Sequence, residues 1–297
     1  MPDTGWLWAL FTVIAAGAQT VRNATQRELT TRLGTVGATH VRFLFGFPFA
    51  LVFLAGVMIV LGQEPPRPPL VYWPWVIVGA LAQIAATALM LAAMNDRSFV
   101  VVYAYIKTEP MQAALFGLLV LGDAVTPVMA AAILIATTGV VIMALKPGTS
   151  MDVRATLLGL AAGSMFALSA VGFRGAILSL GLSSYLMAAT FTVVVGLMMQ
   201  SVLLSLYLAL RNPDVLTSIV RAWRPSLFAG FMGALASQFW FLALALATAA
   251  SVRTLALVEV LFAQGISRFV FKQATTAREA LGIALIVVGV ALLLWAH

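Results

Sequence analysis

The chain has 297 residues, of which 62% are hydrophobic and only 9% are charged, and its mean hydropathy is +1.05. A water-soluble domain carries about 25% charged residues, so this composition indicates a polytopic membrane protein. The chain contains no cysteine and two histidines, which excludes disulfides and argues against a histidine-rich metal site. The net charge of +7 is spread over short loops, as is typical of membrane topology rather than of nucleic-acid binding.

The sequence contains ten apolar stretches of the length that a bilayer requires, about 20 residues each. The first stretch follows no cationic segment, so we predict a retained helix rather than a cleaved signal peptide. All connections are short, and none is large enough for a soluble domain; the longest are 25–38, 63–70, 146–154 and 211–223. The predicted spans are roughly 5–24, 39–61, 72–94, 98–121, 125–145, 155–176, 184–210, 224–247, 250–271 and 277–296.

The two halves of the chain align with each other at an offset of 150 residues, without gaps. Trp73 aligns with Trp223 and Glu109 with Glu259, in a chain that has only seven tryptophans and five glutamates. Each half holds five spans, so the two halves must insert in opposite orientations, which is the inverted-repeat plan of secondary transporters. We therefore predict an all-α fold of ten transmembrane helices around a central cavity. The two predicted repeats are residues 1–147 and 148–297.

The distribution of lysine and arginine predicts the orientation in the membrane. Cytoplasmic loops are enriched in these residues, so the richer side is predicted to be cytoplasmic, with both termini outside. The opposite side carries only Arg67 and Arg174. The odd-numbered loops and their flanking turns carry Arg22, Arg27, Arg32, Arg42, Arg97, Lys146, Arg154, Arg211, Arg221, Arg224, Lys272 and Arg278.

The fourth predicted span has Lys107, Glu109 and Pro110 near its centre. A charge at that depth costs about 2.5–3.5 kcal/mol on insertion scales, and such residues usually face a bundle interior or a substrate path. Pro110 has no N–H, so the carbonyl of Ile106 loses its helical hydrogen bond and the helix is expected to bend. The ninth span contains Arg253, Glu259 and Arg268, with Glu259 near its centre.

Two interpretations of these charges are open from the sequence. Glu109 and Glu259 are candidates for ammonium binding or for proton coupling, because burial disfavours a charged carboxylate. The structural alternative is that Lys107, Arg253 or Arg268 neutralises either glutamate and only holds the bundle together. Lys107 and Glu109 are two residues apart on one helix and do not face each other, so each requires another partner.

Polar and aromatic side chains within the membrane spans, together with these charges, suggest a site for a zwitterion, with cations for its carboxylate, glutamates for its ammonium and rings for an apolar side chain. All five aspartates lie in loops or at helix ends, and no phosphate loop or metal-ligand spacing occurs. We therefore predict no catalytic residue, no enzyme activity and no cofactor. The candidate substrate-binding residues are Gln83, Tyr103, Tyr105, Lys107, Glu109, Trp240, Arg253 and Glu259.

Several short motifs add to this pattern, namely Ala16–Asn23, His40–Phe43, Glu109–Ala114, Leu119–Thr126, Thr138–Met143 and Val288–Leu293. With ten spans and very short loops, they make the chain resemble the EamA type of the drug/metabolite transporter superfamily, over its whole length. The chain departs from the family pattern where Asp123 replaces a turn glutamate and where Val260 stands opposite Pro110.

Within that family the chain looks most like the YddG-type exporters of amino acids and related metabolites. This resemblance implies a cavity lined by the third, fourth, eighth and ninth helices, with parts of the first and sixth. It implies export of amino acids or related small metabolites across the bacterial inner membrane by alternating access, by a monomer in the lipid bilayer without a nucleic-acid partner. The rival expectations are another cargo (a nucleotide-sugar, a lipid-linked or a cationic drug-like compound), a membrane-embedded enzyme and a passive channel.

Overall fold

The computed structural model describes residues 5–96, 99–144, 153–269 and 276–296, and all regular structure in these ranges is helical. A π-helical turn at Gly117–Leu121 follows α5. The helices are α1 (Leu7–Leu44), α2 (Gly46–Leu61), α3 (Tyr72–Asp96), α4 (Phe99–Ile106), α5 (Glu109–Phe116), α6 (Pro127–Ala144), α7 (Val153–Ser179), α8 (Tyr185–Arg211), α9 (Pro213–Arg221), α10 (Trp223–Leu246), α11 (Ala249–Leu255), α12 (Val258–Phe269) and α13 (Ala277–Trp295).

Seven segments within the described ranges are long and apolar enough to cross a membrane, which confirms that this is a polytopic membrane protein. Each corresponds to one of the ten predicted spans. They are Leu33–Leu61, Tyr72–Met94, Pro127–Ala144, Val153–Ser179, Tyr185–Arg211, Trp223–Leu246 and Ala277–Trp295.

The other three predicted spans differ from continuous long helices. The first corresponds to a shorter apolar helix, Leu7–Arg22. The fourth and ninth are each interrupted near the middle, since α4 is followed by α5 after two non-helical residues, and α11 by α12 in the same way. Neither interrupted segment contains a single helix of spanning length, so the number of ten spans stays a prediction.

Two segments predicted as connections are largely helical. Residues 25–38 belong to α1, which is interrupted only at Gly34, where φ is 66° and ψ is 177°. Glycine adopts a positive φ without steric cost, and no proline stops the helix here, so a polar composition was a poor indicator of a loop. Residues 211–223 contain α9, whose Ile219 is fully buried. The connection 63–70 is non-helical as predicted, and 146–154 lies largely outside the described residues.

The chain divides into two compact units. The first comprises Met1–Ala9, Ala82–Val171 and Ala247–His297, and the second comprises Leu10–Leu81 and Gly172–Leu246. Each unit takes residues from both halves of the chain. The bounds of these units therefore do not correspond to the predicted repeats at 1–147 and 148–297. The repeats remain a prediction.

In the first unit, α6 and α13 pack in close contact through small residues. A Cβ on Gly139 would lie 2.6 Å from the carbonyl oxygen of Gly282, and a Cβ on Gly289 would lie 2.7 Å from the backbone nitrogen of Ala136. Such close approach of backbones is the usual mode of helix association in membranes. The small residues of the fifth and tenth predicted spans therefore form scaffold.

Both interrupted segments of the first unit are held by apolar clusters. Ile106, the last residue of α4, packs with Ala93 of α3 and Ala162 of α7. Leu257, between α11 and α12, packs with Val140 of α6 and Ile286 of α13. The interruptions therefore lie on a rigid framework of uninterrupted helices.

The second unit has its own core. The rings of Phe173 and Phe241 have centroids 4.6 Å apart, within the range of favourable aromatic pairs. Gly172 approaches Gly79 so closely that a Cβ would lie 2.8 Å from the Gly79 nitrogen. A second cluster, which includes Leu208, Ile219 and Ala229, joins α8, α9 and α10.

Replacing Gly139 by alanine is expected to destabilise the protein by about 1–3 kcal/mol, because the added methyl group meets backbone atoms that cannot rotate away. The thermal unfolding midpoint of the purified protein measures this. Gly56 of α2 is the matched control, since a Cβ there meets nothing within 4 Å and alanine favours a helix by up to about 1 kcal/mol. Equal midpoints for Gly139→Ala and Gly56→Ala would contradict the close packing of α6 and α13.

Candidate functional site

The two interrupted segments share one backbone geometry. Residues 107–108 and 256–257 are non-helical turns, so the interruptions lie almost 150 residues apart. Short i to i+3 hydrogen bonds cross both: Thr108 N donates to Tyr105 O at 3.2 Å, and Leu257 N donates to Thr254 O at 3.1 Å. The first interruption follows from Pro110, which lies in the first turn of α5, where its missing N–H is tolerated. The second occurs without a proline.

Acidic residues lie at the starts of the second half-helices. Glu109 is the first residue of α5, and Glu259 is the second residue of α12. Basic residues lie at the ends of the first half-helices: Lys107 directly follows α4, and Arg253 is in the last turn of α11. The helix dipole favours anions at N-termini and cations at C-termini, so all four charges lie at ends of favourable sign.

The four charges form two ion pairs that cross between the interrupted segments. Lys107 Nζ donates to Glu259 Oε1, and Arg253 Nε lies 2.9 Å from Glu109 Oε1. The contact between Arg253 Nε and Glu109 Oε1 does not have the geometry of a hydrogen bond, so it is an ion pair only. Lys107 is also attracted by Glu109 and repelled by Arg253, so the four charges act as one group. All four side chains are at most 13% exposed, and their formal charges sum to zero.

The two ion pairs agree with the structural interpretation of these charges as well as with a binding site. Each glutamate has a basic partner on the other interrupted segment, as the ion-pair interpretation requires. The pairing is Lys107 with Glu259 and Arg253 with Glu109. The side chain of Arg268, the third predicted partner, lies outside the described residues. The roles of these residues in substrate binding stay predictions.

The other candidate residues are distributed over both units. Tyr105 of the first unit packs against α7, where a Cβ on Gly159 would lie 2.8 Å from Tyr105 Cβ. Gln83 lies on α3 and is partly exposed. Its main-chain carbonyl accepts a hydrogen bond from Thr87 Oγ1 at 3.0 Å. The side chain of Tyr103 lies outside the described residues.

Trp240 belongs to the second unit, so the first unit does not contain all the candidate residues. It is 6% exposed, and its Nε1 donates to Gln19 Oε1 at 3.2 Å. This bond holds the indole of α10 against α1. Its predicted contact with substrate stays a prediction.

Sequence reasoning missed a glutamine beside the first interruption. Gln112 Nε2 donates to Thr108 Oγ1 at 3.3 Å and reaches Leu160 O on α7 at 3.5 Å. Gly163 of α7 packs beside it, so that a Cβ would lie 3.0 Å from Ile106 O. Gln112 therefore ties the interrupted segment to a continuous helix. Its position three residues after Glu109 was the only signal in the sequence.

Some basic residues counted as loop charges lie within helices. Arg22 is 7% exposed within α1. Arg174 of α7 donates through Nη1 to Leu244 O at 2.7 Å, near the C-terminus of α10. Among the described residues, no cluster of three or more histidine, aspartate and glutamate side chains is placed to hold a metal ion.

Comparison with known proteins bears on the family and on the fold. Residues 3–145 match the EamA-like transporter family. One known crystal structure of a protein is similar to this chain, with a TM-score of 0.74 and 15% sequence identity. The similarity covers 98% of this chain and 96% of the other chain. At that identity the similarity shows the fold alone. Among curated proteins, none matches this chain.

The family match confirms the resemblance that the motifs of the first half indicated. The proteins of this family are transporters, and the apolar helices of this chain agree with a multi-pass membrane location. The first half of the chain, residues 3–145, is thus similar to the EamA-like transporter family, whose members are membrane transporters.

Proposed function

We propose that this protein is a secondary transporter that exports amino acids or related small zwitterionic metabolites, as the YddG-type exporters do. The observation that carries the proposal is the buried group of two cations and two carboxylates at the helix interruptions. Discontinuous helices are a recurrent feature of substrate and ion sites in secondary transporters. A charged group at membrane depth is a functional candidate by default.

The chemistry of the group suits a zwitterion. The carboxylate of an amino acid would replace a glutamate at Arg253 or Lys107, and its ammonium would bind the glutamate thus released. The exchange keeps every charge paired in a site whose own charges sum to zero. A cargo with net charge would leave one charge uncompensated, which is costly where water is scarce.

The aromatic and polar candidates have assigned roles in this proposal. Tyr103, Tyr105 and Trp240 would pack on the apolar side chain of the substrate, because aromatic rings offer large apolar surfaces. Their faces would also attract the ammonium group of the substrate. Gln83 would donate or accept a hydrogen bond to the polar end. These four residues belong to helices that line the cavity in the related exporters.

The proposal includes ten spans arranged as two inverted repeats around a central cavity, with alternating access between the two sides of the membrane. The matching positions of Glu109 and Glu259, each at the start of a half-helix, support the repeat. The proposed location is the bacterial inner membrane, with odd-numbered loops in the cytoplasm. Either glutamate would carry a proton if export is coupled to a pH gradient.

Uptake into proteoliposomes tests the proposed function. Purified protein is reconstituted and offered a panel of labelled amino acids, with and without an imposed pH gradient. We expect saturable uptake of one subset of amino acids. Accumulation that depends on the pH gradient would identify proton coupling and make Glu109 and Glu259 the first candidates for the proton site.

Empty liposomes and liposomes containing heat-denatured protein are the controls. Nucleotide-sugars and hydrophobic cations are offered in parallel, as representatives of the alternative cargoes. Uptake of one of these, with no uptake of any amino acid by folded protein, would exclude the proposed substrate class while leaving the transporter family intact.

Substitutions in the Lys107–Glu259 pair separate a binding role from a structural role. Lys107→Gln leaves a buried glutamate without this partner and is expected to cost about 3–5 kcal/mol of stability. The double variant Lys107→Gln with Glu259→Gln removes both charges and should restore most of that stability, since buried ion pairs contribute little beyond a neutral replacement. Thermal unfolding in detergent measures this recovery.

Transport by the same variants decides between the two roles. If the pair binds the substrate, the stable double variant is expected to lose at least about tenfold in kcat/KM, which corresponds to about 1.4 kcal/mol. If the pair only holds the bundle, the double variant transports as the wild type does. That second result, at equal expression, would contradict the proposed binding site.

A further inference from the structure

Three exposed arginines lie around α9, at one end of the second unit. Arg211 ends α8, Arg221 ends α9, and Arg224 is the second residue of α10. Asp214, in the first turn of α9, is the acidic residue of this stretch. Three positive charges and one negative charge give residues 211–224 a net charge of +2.

The arginines are held on a rigid element. Ile219 of α9 is fully buried and packs in one cluster with Leu208 of α8 and Ala229 of α10. Val215 lies so close to α1 that a Cβ on Gly37 would be 2.9 Å from Val215 Cγ1. α9 is therefore fixed against the unit by its apolar face, and its ends have defined positions.

Each of the three arginines directly follows an exposed apolar residue. Leu210 is 75% exposed, Val220 is 64% exposed and Trp223 is 50% exposed. The Arg224 guanidinium carbon lies 5.4 Å from the centre of the Trp223 ring. We call these six residues the arginine surface: Leu210, Arg211, Val220, Arg221, Trp223 and Arg224.

The arginine surface lies where two membrane spans end. The candidate spans Tyr185–Arg211 and Trp223–Leu246 end and begin within it, which puts it at the depth of lipid headgroups. Tryptophan and arginine are common at that depth, where a ring or an alkyl stem meets the hydrocarbon and a polar group meets the headgroups.

We propose that the arginine surface binds an anionic phospholipid of the bilayer. The guanidinium groups bind the phosphate and the acidic headgroup, for which their planar donor geometry is suited. The acyl chains lie along the exposed apolar side chains of Leu210, Val220 and Trp223. This interaction involves none of the residues of the proposed transport site and does not depend on the identity of the cargo.

Native mass spectrometry of the full-length protein tests the proposal. The protein is released from nanodiscs that contain phosphatidylcholine and phosphatidylglycerol in equal amounts, and the lipids retained on it are counted. We expect phosphatidylglycerol to be retained preferentially. The affinity should fall by about fivefold for each arginine changed to glutamine, at Arg211, Arg221 and Arg224.

Arg67→Gln is the matched control, because Arg67 is an exposed arginine in the connection between α2 and α3. It should leave the preference unchanged. A variant with lysine at all three positions keeps the charge and should keep most of the preference, and the single variant Arg221→Gln replaces the triple variant if the latter does not fold. A variant without the arginines that still prefers phosphatidylglycerol would overturn the proposal.

Glycerol phosphate, a headgroup without acyl chains, distinguishes a lipid site from a simple anion site. We expect it not to raise the unfolding midpoint at concentrations at which phosphatidylglycerol does. Equal stabilisation by both compounds would show that the anion alone is bound and would overturn the assignment to a bilayer lipid.

Discussion

The first unit depends on one electrostatic constraint: a charge removed from water must have an opposite charge close to it. Two glutamates and two basic residues meet this constraint by pairing between the interrupted segments, Lys107 with Glu259 and Arg253 with Glu109. The interruptions also stabilise these charges, because each creates a helix N-terminus next to an acid and a helix C-terminus next to a base. The charges and the breaks in the helices therefore explain each other.

Close packing of small residues gives these interrupted segments a rigid surrounding. α6 and α13 meet backbone to backbone at Gly139 and Gly282, and α7 approaches the end of α4 at Gly163. Side chains at these positions would separate the helices and leave the short half-helices without support. Half-helices of seven to twelve residues would not be stable alone, so their geometry depends on the continuous helices beside them.

The candidate site was partly readable from the sequence. Charge within an apolar run is visible without a structure, and it identified Lys107, Glu109, Arg253 and Glu259 as residues that need partners. The partners themselves were not readable, because three basic residues within the spans were available for two glutamates. Gln112 was overlooked because a single glutamine carries no charge and no periodic signal, although it bonds across the interruption.

By itself, the sequence determined the membrane class, seven spans and the position of the intramembrane charges, because each follows from composition along a single segment. It also indicated the transporter family through the motifs of its first half. Only the tertiary structure decided which cation pairs with which glutamate. It also decided that the ninth predicted span breaks at 256–257 without a proline, and that residues 25–38 are helical. These features depend on contacts between segments that are distant in sequence, and no local pattern of residues encodes such contacts.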